Sequence, residues 1–516
     1  MVLSNNSNDI YLYERHLDKN PDLNMWFVFP GPESFALSSL GYMWLYKCID
    51  ELFNVNIERV YSDSDSTSIF RNNVDVIAFS MSFDMDFLEV LKFLEKNDYN
   101  FKREMRTETE PLIYAGGPVI TSNPMPYSKI FDFMIIGDGE QINTEIVQFL
   151  VNNKHLTKQE KLNILSKMDG VYVPSEKQEK INKITQRLST CIYTPIISEN
   201  SFFKKTFIIE VERGCANRCA FCLASYNNLP IRFAPKEDII KAIDLGLSKT
   251  NKIALLGAQV TSHPQFGEIC KYIHQKIKDG ENIEMGVSSL RIDAFKPDIV
   301  QVLVDAGQKN LTLAIEAGSE RLRKIINKNI SEEQILNSIN VAVNCGLKGI
   351  KLYGMLGIPT ETDEDIQEII NLAKKIKSKY KGFGISFGFS TFVPKANTPF
   401  QWFGRESEKS LEKKSTYLKK ELHKLGIDVA VSSIKWDYYQ AVLSRGDEHL
   451  TDYIIDVYKL GGKLGAFKKA AKINNIDTDY YANEDYSFDK NLPWDKISIT
   501  PGKEFLKNEC QNLLKN

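Results

Sequence analysis

The chain has 516 residues, of which 43% are hydrophobic and 26% are charged, and this is the composition of an ordinary globular protein of roughly three domains. The formal net charge of −2 gives no global basic field, so nucleic acid binding is not indicated. No apolar run reaches the ~18 residues that span a bilayer, and the eight cysteines are mostly scattered, so we expect a cytoplasmic protein without a membrane span.

The first part of the chain alternates strand-like and helical segments. Buried strands are predicted at 25–30, 75–81, 112–115 and 131–136, with a helix at 87–95. The last two strands run into the turns Gly116-Gly117-Pro118 and Gly137-Asp138-Gly139-Glu140. This pattern predicts an α/β domain over residues 1–154, a Rossmann-like doubly wound parallel sheet that binds ligands at the carboxyl ends of its strands. Tight strand-to-helix connections explain such glycine turns about as often as a ligand does.

A second α/β series begins after residues 155–200, which are polar and lysine-rich and are predicted to form a connector with a small hairpin. Strands are predicted at 206–211, 253–256, 284–287, 311–315, 351–355 and 385–392, with helices at 236–247, 296–306 and 363–379. About six β-α units over residues 201–402 predict a partial parallel (β/α)6 barrel, whose active site lies at the carboxyl ends of the strands. Residues 403–516 are predicted to form a helical C-terminal extension, with helices at 406–425 and 436–442.

The loop after the first barrel strand carries the spacing C-x3-C-x2-C at Cys215, Cys219 and Cys222. Three soft thiolates within eight residues can hold an iron–sulfur cluster, and they leave one iron of a four-iron cluster open to an outside molecule. Structural zinc usually needs a second cysteine pair or matching histidines, but the other cysteines are isolated. A disulfide cannot pair all three. Zinc and inert thiols remain the alternatives to a cluster.

With these cysteines on that loop, the chain resembles the radical S-adenosylmethionine (SAM) superfamily, whose signature also has an aromatic residue before the last cysteine, here Phe221. The resemblance implies that the three cysteines ligate a [4Fe–4S] cluster, whose fourth iron is chelated by the amino and carboxylate groups of SAM. An electron, supplied by a donor such as flavodoxin or ferredoxin, would cleave SAM and give a 5′-deoxyadenosyl radical. The cluster carries the hard chemistry, and the protein orients the reactants and excludes water.

The resemblance also implies contacts to SAM at the ends of the later barrel strands. The family's Gly-Gly-Glu turn after the second strand is Gly257-Ala258-Gln259 here, so this match is partial. The remaining implied positions follow the third, fourth and fifth strands and are Ser288, Arg291, Glu316, Lys328 and Ile358, the last within Gly357-Ile358-Pro359-Thr360-Glu361. Small and polar residues are needed at barrel strand ends in any case, so each position also has a purely structural explanation.

The N-terminal half resembles the cobalamin (B12)-binding domain of one branch of the superfamily, through the two glycine turns described above. The segments 393–402, 445–447 and 492–495 are typical of that branch and of a largely uncharacterised subgroup within it. The Asp-x-His-x-x-Gly motif, whose histidine ligates cobalt in many B12 proteins, is absent, and His16 and His155 lie outside any such context. Cobalamin bound without a histidine ligand, and a domain that has lost the cofactor, both stay open.

The leading hypothesis is a radical SAM enzyme that abstracts hydrogen from an unactivated carbon, with methylation from methylcobalamin where cobalamin binds. Ring closure, rearrangement and sulfur insertion are the alternatives without it. A second hypothesis is an RNA- or protein-modifying relative of the methylthiotransferases, but their N-terminal domain carries another cysteine trio, whereas Cys48 and Cys191 are isolated here. A third is an iron–sulfur electron carrier or sensor that makes no radical. The substrate, small or macromolecular, cannot be read from the sequence.

Overall fold

A six-stranded sheet forms the N-terminal part of the computed structural model, which describes residues 9–15, 18, 20–63, 73–288 and 290–515. Its strands are β1 (Leu23–Phe29), β2 (Val55–Tyr61), β3 (Val76–Ser80), β4 (Leu112–Gly116), β5 (Phe133–Ile135) and β6 (Val171–Tyr172). The order is β2-β1-β3-β4-β5-β6, parallel except for β6. The doubly wound sheet is confirmed, and the reversal of strand order between β1 and β3 opens a crevice at their carboxyl ends.

Helices cover both faces of this sheet because successive side chains of each strand point to opposite sides. The helices of this part are α1 (Glu33–Ala36), α2 (Leu40–Asp50), α3 (Phe87–Lys96), α4 (Pro118–Ser122), α5 (Glu140–Asn152) and α6 (Lys158–Leu165). Phe27 packs with α2 and α5 on one face, and Trp26 packs with α3 on the other. The core that contains Trp26 continues into the C-terminal helices, so these two parts of the chain share one hydrophobic core.

The second part is a partial barrel built from two four-stranded sheets. The strands are β7 (Ile192–Tyr193), β8 (Thr206–Glu210), β9 (Lys252–Leu256), β10 (Glu284–Val287), β11 (Asn310–Glu316), β12 (Gly349–Leu356), β13 (Gly384–Thr391) and β14 (Asp428–Val431). The sheet orders are β10-β9-β8-β7 and β11-β12-β13-β14, and only β7 is antiparallel. The six predicted strands β8 to β13 are confirmed, and the parallel arrangement places all their carboxyl ends at one rim.

Helices surround the barrel and continue to the end of the chain. The barrel helices are α7 (Leu223–Asn227), α8 (Lys236–Leu247), α9 (Phe266–Lys278), α10 (Pro297–Asp305), α11 (Glu320–Ile325), α12 (Glu332–Asn344) and α13 (Asp363–Lys379). The C-terminal helices are α14 (Glu408–Lys424), α15 (Ile434–Ser444), α16 (Leu450–Lys459), α17 (Leu464–Ile473), α18 (Thr478–Ala482) and α19 (Lys503–Leu513). No helix in the described ranges is long and apolar enough to cross a membrane.

Three features differ from the sequence prediction. Strand β2 was not predicted, because charged residues interrupt its apolar pattern. Residues 155–200, predicted as a connector with a hairpin, supply α6 and strand β6 of the first sheet, and then β7 at the edge of the barrel. The C-terminal extension is not purely helical, because β14 adds a seventh parallel strand beside β13. Each of these strands is stabilised by a partner strand elsewhere in the sequence, so local pattern does not reveal it.

Candidate active site at the cysteine loop

The cysteine loop lies between β8 and α7 at the carboxyl rim of the barrel. Its entry and exit are held together by a two-residue antiparallel ladder between Glu212–Arg213 and Arg232–Phe233. Gly214 follows this ladder with φ of 93°, and a Cβ there would lie 2.5 Å from the carbonyl oxygen of Asn228. The sequence therefore needs glycine before the first cysteine, since the loop crosses its own returning strand at that point.

The three thiols of the loop are all free and differ in burial. Cys219 is 9% exposed, whereas Cys215 and Cys222 are half-buried. Burial raises the pKa of the Cys219 thiol to about 12 and also raises that of Cys222, so both thiols stay protonated unless a cation faces them. Iron bound at this loop would supply that cation.

Among the described residues no three His, Cys, Asp or Glu side chains surround one common metal position. A four-iron cluster binds each thiolate through a different iron, so the thiols of a cluster site stand apart rather than converging on a single ion. Three closely spaced thiols are a donor set that fits a four-iron cluster, whereas a tetrahedral zinc site needs a fourth ligand.

A turn after α11 closes over the cysteine loop. The side-chain amide of Asn327 donates hydrogen bonds to the backbone oxygens of Asn217 and Arg218, each at 3.1 Å. The backbone N–H of Ala220 donates to the oxygen of Ile326 at 3.0 Å. Asn327 and Arg218 both have left-handed backbones, with φ of 57° and 46°. Residues with left-handed backbones persist where the surrounding structure holds them. Here Asn327 and Arg218 set the course of the loop that carries the cysteines.

Glu316 and Lys328, both implied by the resemblance, form an ion pair next to the cysteines. Their Oε1 and Nζ atoms are 2.8 Å apart, and the side chains are 14% and 10% exposed. Glu316 ends β11 at a bulge and has φ of 62°, so the strained backbone turns its side chain away from the regular strand direction. The charges of both residues act on the Cys219 thiol, and the backbone oxygen of Asn327, next to Lys328, lies 3.9 Å from its sulfur, so the pair is close to the cysteines.

The turn after β9 is linked to the cysteine loop by a hydrogen-bond network that the sequence did not reveal. The carboxylate of Glu212 accepts hydrogen bonds from the backbone N–H of Gln259 and the hydroxyl of Ser262. The side-chain oxygen of Gln259 in turn accepts from Asn217 and lies 3.7 Å from the sulfur of Cys215. Glu212 is 1% exposed, and its burial raises the pKa of the carboxyl group to about 7. Residue 259, where the family has glutamate, is therefore a structural link here.

Two of the remaining implied positions meet at the ends of β9 and β10. The hydroxyl of Ser288 donates to the backbone oxygen of Gly257 at 2.7 Å and accepts from its N–H at 3.1 Å. A Cβ at Gly257 would lie 2.4 Å from the side chain of Glu212, so close packing against that carboxylate explains the glycine. Ala258 beside it is exposed at the rim. Ser288 therefore holds the backbone of Gly257 in place at the end of β9. This fixes the turn at which residues 257 and 258 face the rim of the barrel.

Three further implied residues have structural roles of their own. Arg291 forms an ion pair with Asp293 at 2.9 Å. The side chain of Ile358 is 2% exposed in the core, and Phe221 is half-buried against the same core. The turn that contains Ile358 is closed by Glu361, whose carboxylate accepts from the N–H of Gly357 at 2.8 Å. A ligand near this turn would meet its backbone rather than the Ile358 side chain.

The acidic glycine turn of the N-terminal sheet contacts the arginines that flank the cysteine loop. Arg213 lies 3.0 Å from Asp138 and 2.6 Å from Glu140, and Arg232 binds Asp138 as well. A Cβ at Gly137 would lie 2.1 Å from the backbone oxygen of Ile184. Gly137 is therefore explained by its close packing against Ile184. Asp138 and Glu140 of the same turn position the base of the cysteine loop.

A cavity of about 280 Å³ remains at the carboxyl edge of the N-terminal sheet. Its walls are mainly small or aromatic and include Gly41, Tyr42, Tyr114, Gly116 and Gly139. His155 lies after α5, at the opposite end of the strands, and His16 is outside the described residues. This edge can hold an apolar or nucleotide-like group, but the described residues offer no histidine there for a metal.

Three free thiols on the loop after the first strand of a partial parallel barrel, with an ion pair beside them, define an iron–sulfur enzyme of the barrel class. The family model described as "Radical SAM superfamily" matches residues 209–373, and the model described as "Radical SAM proteins, N-terminal" matches residues 65–174. An uncharacterized protein of Methanocaldococcus jannaschii is 32% identical over 440 residues, which are 84% of this chain and 90% of that protein. The chain belongs to the radical SAM superfamily, as its sequence predicts.

More distant similarities agree with this assignment. The tRNA-2-methylthio-N(6)-dimethylallyladenosine synthase of Fusobacterium nucleatum is 28% identical over 188 residues, 33% of this chain and 41% of that enzyme. The radical SAM methyltransferase TsrM of Kitasatospora setae, solved with cobalamin and a [4Fe–4S] cluster, superposes with a TM-score of 0.54 at 10% identity and covers 87% of this chain and 99% of its own. That likeness shows a shared fold. By its family the chain is an enzyme that uses a [4Fe–4S] cluster and SAM, and not a mere electron carrier.

Proposed function

We propose that Cys215, Cys219 and Cys222 ligate the [4Fe–4S] cluster and that the enzyme cleaves SAM reductively to activate a C–H bond of its substrate. The observation that carries this proposal is the Glu316–Lys328 ion pair, which lies beside the buried thiol of Cys219 at the rim of the barrel. When bound, the cluster would supply one electron to the sulfonium of SAM, and breakage of its C–S bond would give methionine and a 5′-deoxyadenosyl radical. An external one-electron donor such as flavodoxin or ferredoxin would reduce it.

The protein residues hold and orient SAM in this proposal. Lys328 supplies the positive charge for the carboxylate of SAM, and Glu316 accepts hydrogen bonds from its amino group or ribose. The backbone at Gly257 and Ala258, kept in place by Ser288, faces the same rim. The backbone at Ile358 and the side chain of Arg291 complete the proposed set, because they follow the fifth and third predicted strands at that rim.

The assay for this function is anaerobic reconstitution followed by dithionite, SAM and detection of 5′-deoxyadenosine. Cys219→Ala should abolish both cluster and product, because two thiolates rarely retain a cluster, while Cys345→Ala outside the loop should change neither. Lys328→Met should weaken SAM binding at least tenfold, while Lys324→Met on the exposed face of α11 should not. Wild-type protein that holds a cluster but forms no 5′-deoxyadenosine would refute the proposal.

For the second cofactor we propose cobalamin, with its nucleotide end in the 280 Å³ cavity at the carboxyl edge of the N-terminal sheet. Support comes from the size and position of that cavity and from the fold shared with TsrM, the cobalamin-bound methyltransferase. Bound cobalamin would direct the reaction to methyl transfer. The methylthiotransferase alternative needs a second cysteine trio, and Cys48 and Cys191 have no such partners among the described residues.

Cobalamin binding is tested by incubation with hydroxocobalamin, gel filtration and the spectrum of the retained corrinoid. Gly41→Leu should fill the cavity, and Gly267→Leu is a matched control, because both glycines are helical and a Cβ at either meets no atom within 4 Å. We expect wild-type protein and the control to retain one corrinoid and the Gly41 variant to lose it. If the wild-type chain does not retain the corrinoid in gel filtration, the domain has the fold but does not bind the cofactor.

A further inference from the structure

The C-terminal helices line an open cavity of about 940 Å³ that is separate from the cysteine loop and from the N-terminal sheet. All of its lining residues belong to the segment between Arg405 and Asn483. The walls are the first turns of α14 and α15, one side of α17 and the short helix α18. The volume is within the range of sites that bind small molecules.

The charged residues in the lining of this cavity are predominantly basic. Arg405, Lys435, Lys468 and Lys472 contribute four positive charges, against the two acids Glu408 and Asp479. Glu408 lies 3.5 Å from Lys435, and Asp479 accepts a hydrogen bond from Tyr438 at 2.6 Å. Within the described part of the chain, Lys468 and Lys472 have no carboxylate partner. The cavity therefore carries uncompensated positive charge.

Arg405 adds a buried and incompletely bonded guanidinium to this lining. The residue is 2% exposed, and its Nη2 donates to the hydroxyl of Thr391 at 3.1 Å and to the backbone oxygen of Ile434 at 2.7 Å. Its Nε and Nη1 have no hydrogen-bond partner among the described residues and are covered by surrounding atoms, and the carboxylates of Asp437 and Glu408 lie near enough to attract its charge. The guanidinium therefore adds a positive charge just behind the wall of the cavity, where it attracts an anion at longer range.

Helix N-termini add to the attraction for an anion. The first two residues of α17, Leu464 and Gly465, line the cavity, as does Lys435 in the first turn of α15. The N-cap residues of these helices, Lys463 and Ser433, make no side-chain cap hydrogen bond. The free N–H groups and the positive end of each helix dipole are a common binding site for phosphate groups.

We propose that this cavity binds a phosphorylated small molecule. The lysines of α17, the N-termini of α15 and α17 and the charge of Arg405 would hold the phosphates. Tyr438 and Tyr439 provide aromatic wall on which an organic part of the ligand can rest. Because Arg405 also bonds Thr391 at the end of β13, an occupied cavity is linked directly to a barrel strand.

The test is calorimetric titration of the anaerobically reconstituted full chain with inorganic pyrophosphate and, separately, with ATP. Salt is kept at 0.15 M, because non-specific attraction between exposed charges is screened there, and SAM is present in excess so that the barrel site is filled. Binding of ATP much tighter than of pyrophosphate would indicate a nucleotide, and equal affinities would indicate recognition of the phosphates alone. Both results support the proposal.

The variant Lys468→Ala/Lys472→Ala should weaken binding at least tenfold, and these exposed lysines can be removed without disturbing the core. Lys469→Ala is the matched control, because this exposed lysine is on the same helix but does not line the cavity. The control should bind as the wild-type chain does. The proposal is overturned if neither probe binds at millimolar concentration, or if the double variant and the control have the same affinity.

Discussion

The turn at Asn327 offers the sharpest test of how the structure holds its cysteine loop. Asn327→Ala removes two hydrogen bonds to that loop, worth about 1 kcal/mol each. It also places a residue with a Cβ, and without the local hydrogen bonding of asparagine, at φ of 57°, which costs about 1 kcal/mol more. The total of about 3 kcal/mol lowers the free energy needed to open this one loop and does not affect the hydrophobic core. Asn327→Gly loses the same two hydrogen bonds, but glycine adopts the left-handed backbone without strain. This variant should therefore cost only about 2 kcal/mol.

Hydrogen exchange of the peptide that spans residues 215–222 measures this opening directly, because the exchange rate follows the population of the open loop. At 1.36 kcal/mol per factor of ten, the alanine variant should exchange roughly 150-fold faster than wild type, and the glycine variant roughly 30-fold faster. Asn475→Ala removes an exposed asparagine that also has a left-handed backbone, φ of 51°, and should leave this peptide unchanged. If the peptide exchanged in the Asn327→Gly chain at the wild-type rate, the hydrogen-bond argument would be refuted. Equal rates in the alanine and glycine variants would refute the backbone argument.

Two further predictions concern Glu212 and Gly117. Because burial raises the pKa of Glu212 from 4.5 to about 7, the folded chain binds this proton more tightly than the unfolded chain does, and the unfolding free energy falls as pH rises between those values. Glu212→Gln should reduce that fall by at most about 3 kcal/mol in urea titrations at pH 5 and pH 7.5, because Asp86 and Glu361, whose pKa burial also raises to about 7, keep their contributions. The same fall in both proteins would contradict this. Gly117→Ala should cost 2 kcal/mol or more by thermal unfolding, because its Cβ would lie 2.3 Å from the carbonyl oxygen of Met81 at φ of 113°. Gly280→Ala, also at positive φ but in open space, should cost only about 1 kcal/mol, and equal losses would exclude the steric cause.

Regular elements with a strong local pattern could be predicted from the sequence. Helices α8 and α13 and strand β10 have the predicted bounds, because each has an uninterrupted amphipathic or apolar pattern. Strand β2 and strand β14 could not be predicted in this way. Both are short or charged, and each exists because it pairs with a neighbour in the sheet, β1 and β13 respectively.

The residues of the candidate site also divide into those that the sequence could predict and those that it could not. Glu316 and Lys328 were implied by a resemblance, and the structure brings their side chains together beside Cys219. Asn327 and Gln259 carry no motif, since an asparagine or glutamine in a polar turn is common. Their roles follow from contacts across 109 to 110 positions for Asn327 and across 42 to 47 positions for Gln259.

The sequence by itself determined the family, the cysteine loop and the succession of β-α units, because short-range spacing and periodicity encode them. The tertiary structure decided what surrounds that loop. It showed that the acidic glycine turn of the first sheet binds Arg213, that Asn327 closes over the cysteines, and that the C-terminal helices line an open cavity with four basic residues. These features depend on the distances between side chains far apart in the chain. Such distances are fixed only when the sheets and helices pack.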